Sequence, residues 1–347
     1  METLLVLAHT EPDGSVAGAA LETLTAARQL HSALSGGTLV VGLVGESVQP
    51  AANRLAGCGA ARLLAASHPA LAQARYSTDA PAAEAMARAS QASIVLAPAT
   101  SRWNRVLPGV AQRLGGRVDT HVASVAASEG AVSISRWYYR QRMEATLRRS
   151  QRPWFILIDP GVYAPWQGQP GAANAEPVTP QLPENLIRTE VLGFREPAIE
   201  ARTIRPEADV LLVAGAGWTK KQGDGQSKVK DAEKLILGFL KLARASLGST
   251  KSLVDLSGEG QAVLSFLTHL NQVGQTGSTP RHPKGLATCC HGEEPHTVGW
   301  RFIHERRAIN LDPNCGWARG KADVLYVADA FVVMAKANEL LAQAGAS

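Results

Sequence analysis

Gln272-Val273-Gly274-Gln275-Thr276-Gly277 is the stretch of this chain best equipped to meet a ligand. Two glycines bracket a Gln-Thr pair. The glycines let backbone N–H groups approach closely, and the threonine adds a hydroxyl. Such a surface suits an anion or the edge of a heterocycle. His296 lies 20 residues beyond Thr276, and Asn310 a further 14. Gly215-x-Gly217 follows an apolar run. It is either a partial dinucleotide fingerprint that lacks the third glycine, or a strand-end turn. Gly248-Ser249-Thr250-Lys251 offers hydroxyls and a cation to a phosphate or an electron-rich ring. Equally, it could be a helix C-cap and a turn. In Cys289-Cys290-His291, three consecutive residues cannot chelate one ion well, so no metal site is expected. Spacing alone assigns no Ser-His-Asp or Cys-His nucleophile.

These residues need a scaffold, and the composition supplies one. The 347 residues suit about two domains. Apolar residues make up 45% and aromatics only 5%, so the cores must come largely from Ala, Val and Leu. A net charge of +5 fits a solvated surface. Nucleic-acid binding would need a denser basic stripe with aromatics, so no nucleic-acid partner is expected. The four cysteines, Cys58, Cys289, Cys290 and Cys315, show no C-x-x-C spacing. They read as reduced thiols in a cytoplasmic compartment. Met1 to Ala8 carries no leader pattern. No apolar run approaches the ~20 residues of a membrane span, so direct membrane insertion is not expected.

Patterning predicts an N-terminal doubly wound α/β lobe, residues 1–200, with a mostly parallel sheet. Strands are expected at Thr3–Ala8, Thr38–Val44, Ala61–Ala65 and Ser93–Ala97, with an edge strand at Asp119–Val125. Helices are expected at Ala19–Leu34, Ala51–Cys58, Ala80–Ala89 and Val106–Leu114. Strand pairs follow at Ala131–Ile134, Met143–Leu147 and Trp154–Ile158. Arg136, Arg140, Arg142, Arg148, Arg149 and Arg152 there form either a solvated face or a docking surface. Residues 160–205 read as loop and linker, with a bridging strand within Asn185–Arg202. The second lobe, 206–347, opens with a strand at Asp209–Ala214 and a helix at Ala232–Leu247 stopped by Gly248. Ala262–Leu270 reads as helix. Strands at Leu286–Cys290, Arg307–Leu311 and Val324–Val327 precede a terminal helix, Ala330–Ala342. This order predicts a Rossmann-like nucleotide-binding lobe.

At the Gln272 loop these pieces resemble one family, the alpha subunit of electron-transfer flavoprotein. Its Q-V-G-Q-T-G stands intact at Gln272–Gly277. Its S-G-A-I-Q-H falls on His291–His296, its A-I-N-x-D-P on Ala308–Pro313, and its closing strand and aspartate on Val327–Asp329. Its G-A-S-R turn falls on Gly248–Lys251. In the N-terminal half, Leu4–Leu30 and the "LAPAT" segment at Ser93–Leu107 are also similar to it.

The resemblance implies an FAD held in the C-terminal lobe. It also implies a heterodimer with a beta subunit, with AMP in that partner. Electrons would pass from flavin dehydrogenases towards a membrane quinone oxidoreductase. The chain would thus be an electron carrier rather than an enzyme with a substrate of its own. Carried over by position, Thr276 meets the flavin edge near N5 and His296 the N1/O2 edge. Lys251 replaces an arginine over the ring, and Thr250 and Gln275 touch the cofactor chain. Asn310 and Asp329 hold the adenosine end. Gln272, Gly274, Gly277, His291 and Gly292 complete the set. Departures stand out. The family's G-G-R-G is Gly215-Ala216-Gly217-Trp218 here, without its arginine. Lys251 lacks a guanidinium's planar stacking. Glu293, Glu294 and Pro295 alter the segment before His296. Such losses leave a flavin-free scaffold subunit as the alternative. An NAD-type oxidoreductase lacks the acidic ribose anchor after Gly217.

Overall fold

The computed structural model describes residues 2–34, 36–139, 143–185, 189–193, 204–205, 208–255, 263–273, 281–288, 303–315 and 322–345. It is mixed α/β. The chain divides into two compact units, Met1–Phe194 and Arg195–Ser347. From sequence the boundary was expected between Pro197 and Pro206.

Short aliphatic runs form the buried parallel centre of the first unit's sheet, and more exposed segments complete its strands. They are β1 (Thr3–His9), β2 (Thr38–Gly45), β3 (Arg62–Ser67), β4 (Ile94–Pro98), β5 (Arg117–Ser128), β6 (Ala131–Tyr138), β7 (Met143–Arg148), β8 (Trp154–Ile158) and β9 (Glu176–Pro177). The sheet order is β7-β6-β5-β8-β4-β1-β2-β3-β9. Only β5-β6 and β6-β7 are antiparallel. Strand side chains alternate, so β1 feeds two cores. Leu4, Val6 and Ala8 pack with α1 (Gly18–Ala33), and α2 (Gln49–Arg54) joins them. Leu5 and Leu7 pack with α3 (Tyr76–Ser90) and α4 (Ser101–Arg113). Alanines fill much of these helix faces, which lets the helices lie close to the sheet.

Two sequence expectations change here. Asp119–Val125 does not lie at an edge. It belongs to a longer strand flanked by β8 and β6. Its polar alternation misled because the buried position is Asp119, a carboxylate. Asp119 accepts hydrogen bonds from Arg136, Arg149 and the Trp154 indole. Burial alone would raise its pKa, but those donors outweigh it and hold the carboxyl below the ordinary range. The arginine run is therefore partly internal: Arg136 and Arg149 clamp β5, and Arg152 pairs with Glu2. Arg140 and Arg142 lie outside the described residues. So does most of the expected bridging strand, and its described part, Asn185 and 189–193, carries no strand.

The second unit is a parallel sheet of β10 (Val210–Ala214), β11 (Ser246–Ser249), β12 (Lys284–Thr288), β13 (Glu305–Asn310) and β14 (Val324–Val327), in the order β11-β10-β12-β13-β14. Among the described residues its helices are α5 (Val229–Leu242), α6 (Lys251–Asp255) and α7 (Ala330–Gly345). Leu212, Ile236, Phe239, Trp218 and Met334 share one core. The helix expected to run to Leu247 ends at Leu242 instead. Arg244 takes a left-handed conformation, φ 49°, and Ala245 N–H bonds back to Leu240 O. That closing turn releases the chain into β11. Gly248, expected as a helix stop, is a strand residue. Among the described residues, the helix expected at Ala262–Leu270 is absent, and a single 3-10 turn, His269–Asn271, closes the segment. Its polar Thr268 and Asn271 cap one another reciprocally rather than feed a longer helix.

His9 ends β1 with its ring against Trp103, 6.0 Å between centroids. Burial, aided by the Arg102 charge, lowers its pKa to about 4. The folded state thus binds this proton more weakly than the unfolded chain, whose histidine titrates near 6.5. The stability due to neutral His9 is fully present above about pH 6.5 and is lost as pH falls towards 4. At most about 3 kcal/mol is at stake. Denaturant titrations between pH 7 and 4 are expected to show a loss that His9→Gln lessens. An identical pH dependence in wild type and variant would refute this.

Candidate functional site

In a parallel sheet every strand points its carboxyl end to one edge, so the loops that follow gather there. Here those ends are Ala214, Ser249, Thr288, Asn310 and Val327. The order β11-β10-β12 reverses direction at β10. The crevice beside such a reversal is where open α/β sheets bind ligands.

Backbone bonds sew these ends together. Thr250 N–H donates to Ala214 O at 2.9 Å, and Gly215 N–H donates to Thr288 O at 2.9 Å. Thr288 Oγ1 donates to Val213 O. The Gly215–Trp218 segment forms a 3-10 turn whose Trp218 is fully buried. Its indole N–H donates to Thr288 Oγ1 at 2.9 Å, and its ring lies 4.6 Å from that of Phe331. Of the two meanings open for Gly215-x-Gly217, this is the strand-end turn, with its last side chain spent on the core.

Gln272 forms a parallel bridge with Ser249, and Val273 N–H donates to Ser249 O at 3.0 Å. The chain entering the Gln272 segment therefore extends the sheet by one rung beside β11. Asn271 supports it from below, its side-chain amide donating to Leu247 O. A Cβ on Gly248 would stand 2.4 Å from Val273 Cγ2, closer than atoms can approach. Glycine is required there because Val273 occupies that space. Gly248-Ser249-Thr250-Lys251 is thus a strand-to-helix junction, the alternative that neither sequence option named. Thr250 is fully buried and Lys251 is exposed. Ser249 is fully buried too, and its Oγ has no hydrogen-bond partner among the described residues.

A small crevice opens at the ends of β13 and β14. Gly217, Gln222, Asn310, Leu311 and Asp329 are among its walls. Asn310 Oδ1 accepts the Asp312 N–H, and Asp329 Oδ1 accepts the Phe331 N–H at the start of α7. Lys228 adds a positive field near Asp329, although its direct partner is Asp224 at 2.8 Å.

Of the expected site residues, the structure sets Thr250 and Gln272 beside β11, and Asn310 and Asp329 along one crevice. Gly274, Gln275, Thr276, Gly277, His291, Gly292 and His296 lie outside the described residues, as do Cys289 and Cys290. Sequence reasoning missed Ser249 as a buried hydroxyl, although it stands in the quoted turn. It missed Gln222 altogether, since a glutamine in a polar loop carries no local signal. Chemically, the edge offers buried hydroxyls, the exposed cation of Lys251 and a small slot with apolar and polar walls. These suit a ligand that has both a flat ring and polar substituents.

A family model, Electron transfer flavoprotein domain, matches residues 4–185, more than half of the chain. Over 307 residues the chain is 24% identical to the electron transfer flavoprotein subunit alpha of Thermoanaerobacterium thermosaccharolyticum, covering 87% of each chain.

The Gly248 contact makes a sharp expectation. Gly248→Ala should destabilise the fold by about 1–3 kcal/mol through overpacking. Adding Val273→Ala should return part of that loss. Chemical denaturation of the single and double variants measures both. A neutral single variant, or a purely additive double, would show that the two residues are not in contact.

Proposed function

Because the chain belongs to the electron transfer flavoprotein family, we propose that it is a divergent alpha-type subunit that binds FAD in its C-terminal lobe, residues 206–347. It forms a heterodimer with a beta subunit that carries AMP. It takes electrons from a flavin dehydrogenase in the cytoplasm and passes them towards a membrane quinone oxidoreductase. The observation that carries this reading is the Gln272–Val273 rung on β11. It holds the start of an intact Q-V-G-Q-T-G sequence at the carboxyl edge of a sheet with a reversal crevice.

The described residues fit an extended dinucleotide. The orphaned Ser249 hydroxyl beside β11 needs a polar partner, since a buried unpaired hydroxyl costs about 1–3 kcal/mol. Asn310 and Asp329 share the walls of one small crevice at the same edge. When bound, a flavin supplies reversible electron storage at a potential set by charge and donors around its ring.

The chain's own groups have these roles. Gly274, Gln275 and Gly277 bring backbone and amide groups to the cofactor, and Thr276 donates its hydroxyl at the N5 edge. His296 would supply positive charge at the N1/O2 edge, and His291 and Gly292 would belong to the same binding segment. Thr250 and Gln272 brace the turn, and Lys251 supplies a point charge. Asn310 and Asp329 hold the adenosine end.

One observation favours a second reading, a flavin-free scaffold subunit. Trp218 stands in the family's arginine-bearing turn, and its side chain is consumed by the core. Purification of the complex separates the two. The carrier gives a yellow protein whose visible band bleaches on reduction. A colourless, folded complex with both subunits favours the scaffold. Thr276→Ala should release FAD more readily, measured by dialysis and fluorescence of freed flavin, and unchanged retention would refute its role. His296→Ala should lower the flavin potential by about 60 mV, the equivalent of a tenfold shift in a one-electron equilibrium. An unmoved potential would place His296 away from the ring.

A further inference from the structure

We propose that the outer face of α5 is a docking surface for an acidic protein that exchanges electrons with this chain. The docking stands on the helix surface itself, and the electron exchange rests on the carrier reading. At about 3.6 residues per turn, α5 brings Lys230, Lys234, Leu237 and Lys241 onto one line. All four are exposed, Leu237 at 48%. The line runs for about 16 Å along the helix, from the rise of about 1.5 Å per residue. The opposite face is spent, with Ala232, Ile236 and Phe239 buried in the core. On α7 the side-chain amide of Asn338 donates to Leu235 O, so α7 packs along a flank and leaves the stripe open.

Other lysines of this unit find acids. Lys228 reaches Asp224 at 2.8 Å, and Lys336 reaches Glu339 at 2.8 Å. Among the described residues none of the three stripe lysines makes an ion pair. Glu233 feels the field of Lys230, yet its Oε1 accepts from Ser265, from the N–H at 2.8 Å and from Oγ at 2.7 Å. Asp231, the other acid of the helix, lies about a quarter-turn round from Lys230. Lys230 and Lys234 stand four residues apart, a spacing at which like charges weaken a helix. The row therefore opposes the helix that carries it. An apolar residue set among uncompensated cations has the anatomy of an interface, an apolar centre with a charged rim. Its complement is a surface of carboxylates. Such charge matching speeds encounter and sets orientation more than it tightens binding, which suits a carrier that must let go. The stripe is also well placed. In a parallel unit the helix returns antiparallel to its strand, so the first turn of α5 lies at the carboxyl edge where β10 ends. A protein seated on the stripe reaches that edge. A lipid surface fits less well, because a helix lying in a membrane interface needs a broad apolar face and that of α5 is in the core.

The test uses the heterodimeric complex and two probes: labelled flavodoxin, a small acidic redox protein, and vesicles of phosphatidylcholine with phosphatidylglycerol. Fluorescence anisotropy at low ionic strength is expected to show flavodoxin binding that weakens as salt is raised. Replacing Lys230, Lys234 and Lys241 together by Gln should weaken it about tenfold. Replacing three exposed cations elsewhere, Arg117, Lys284 and Lys336, by Gln should leave it unchanged. Equal losses in the two triple variants overturn the proposal, since net charge alone would then govern binding. So does the absence of stripe-dependent flavodoxin binding, whether or not the vesicles bind. A colourless complex that still binds flavodoxin through the stripe upholds the docking surface and sinks the FAD reading, so the two failures are distinct.

Discussion

Val273 N–H reaches Ser249 O at 3.0 Å only because residue 248 has no side chain. One hydrogen bond and one missing Cβ fix where the following loop begins. The dependence runs outward from there. β11 is the edge of its sheet, bonded on its inner side to β10. Without Gln272 and Val273 its outer backbone groups would lie open at that end, and unpaired edges are a liability. The same rung therefore closes an edge and anchors a ligand loop. The packing around it is rigid: Leu211 and Val213 of β10 lie with Val273 in one core. A loop that departs from such a rung starts from a fixed position, as a precise binding constellation requires.

The fold was legible wherever burial on both faces left an unbroken aliphatic run. Leu4–Ala8, Leu39–Val44 and Leu211–Ala214 announce parallel strands because nothing polar can survive there. Ser246-Leu247-Gly248-Ser249 hid as a strand for the opposite reason. It is just as buried, yet its small residues are dictated by close neighbours rather than by hydrophobicity. β5 was misjudged because Asp119 imitates an exposed position. Its charge is neutralised from β6, from Arg149 after β7 and from Trp154 of β8, partners distant in sequence. No local window contains that information.

Legibility of the candidate site followed the same division. The Gln272 segment and Asn310 stood out by residue type, since glycine pairs with amides are costly to keep without purpose. Gln222 did not, because its meaning lies in two carbonyls that the chain brings to it, one of them five residues back at Gly217. The alternatives at Gly248–Lys251 were both local, a cap or a phosphate turn. The answer, a strand meeting a short helix, depended on pairing with β10 and on the arrival of Val273. Local chemistry names groups that can bind, whereas long-range pairing decides which of them are aimed.

The turn after β10 shows what such pairing implies for charge. A guanidinium there would have to remain beside solvent or ligand. The indole of Trp218 instead turns inward, closes over Phe331 and ties itself to Thr288 at the end of β12. Burying that ring adds apolar contact to the core and ties two strand ends together. Thr288 is in turn bonded to β10 through Val213 and Gly215. The arginine of the resembling G-G-R-G falls on Gly217, one residue earlier, so its loss is a separate change from the packing of Trp218. Among the described residues, positive charge at this edge comes from Lys251 and the lysine-bearing loop around Gln222, and an ammonium acts as a point charge without stacking on a ring. A ligand held here would feel a field from the side rather than a plane laid against it. This follows from the residue types at the edge, where Gly217 carries no side chain, Trp218 is spent on the core and Lys251 carries an ammonium.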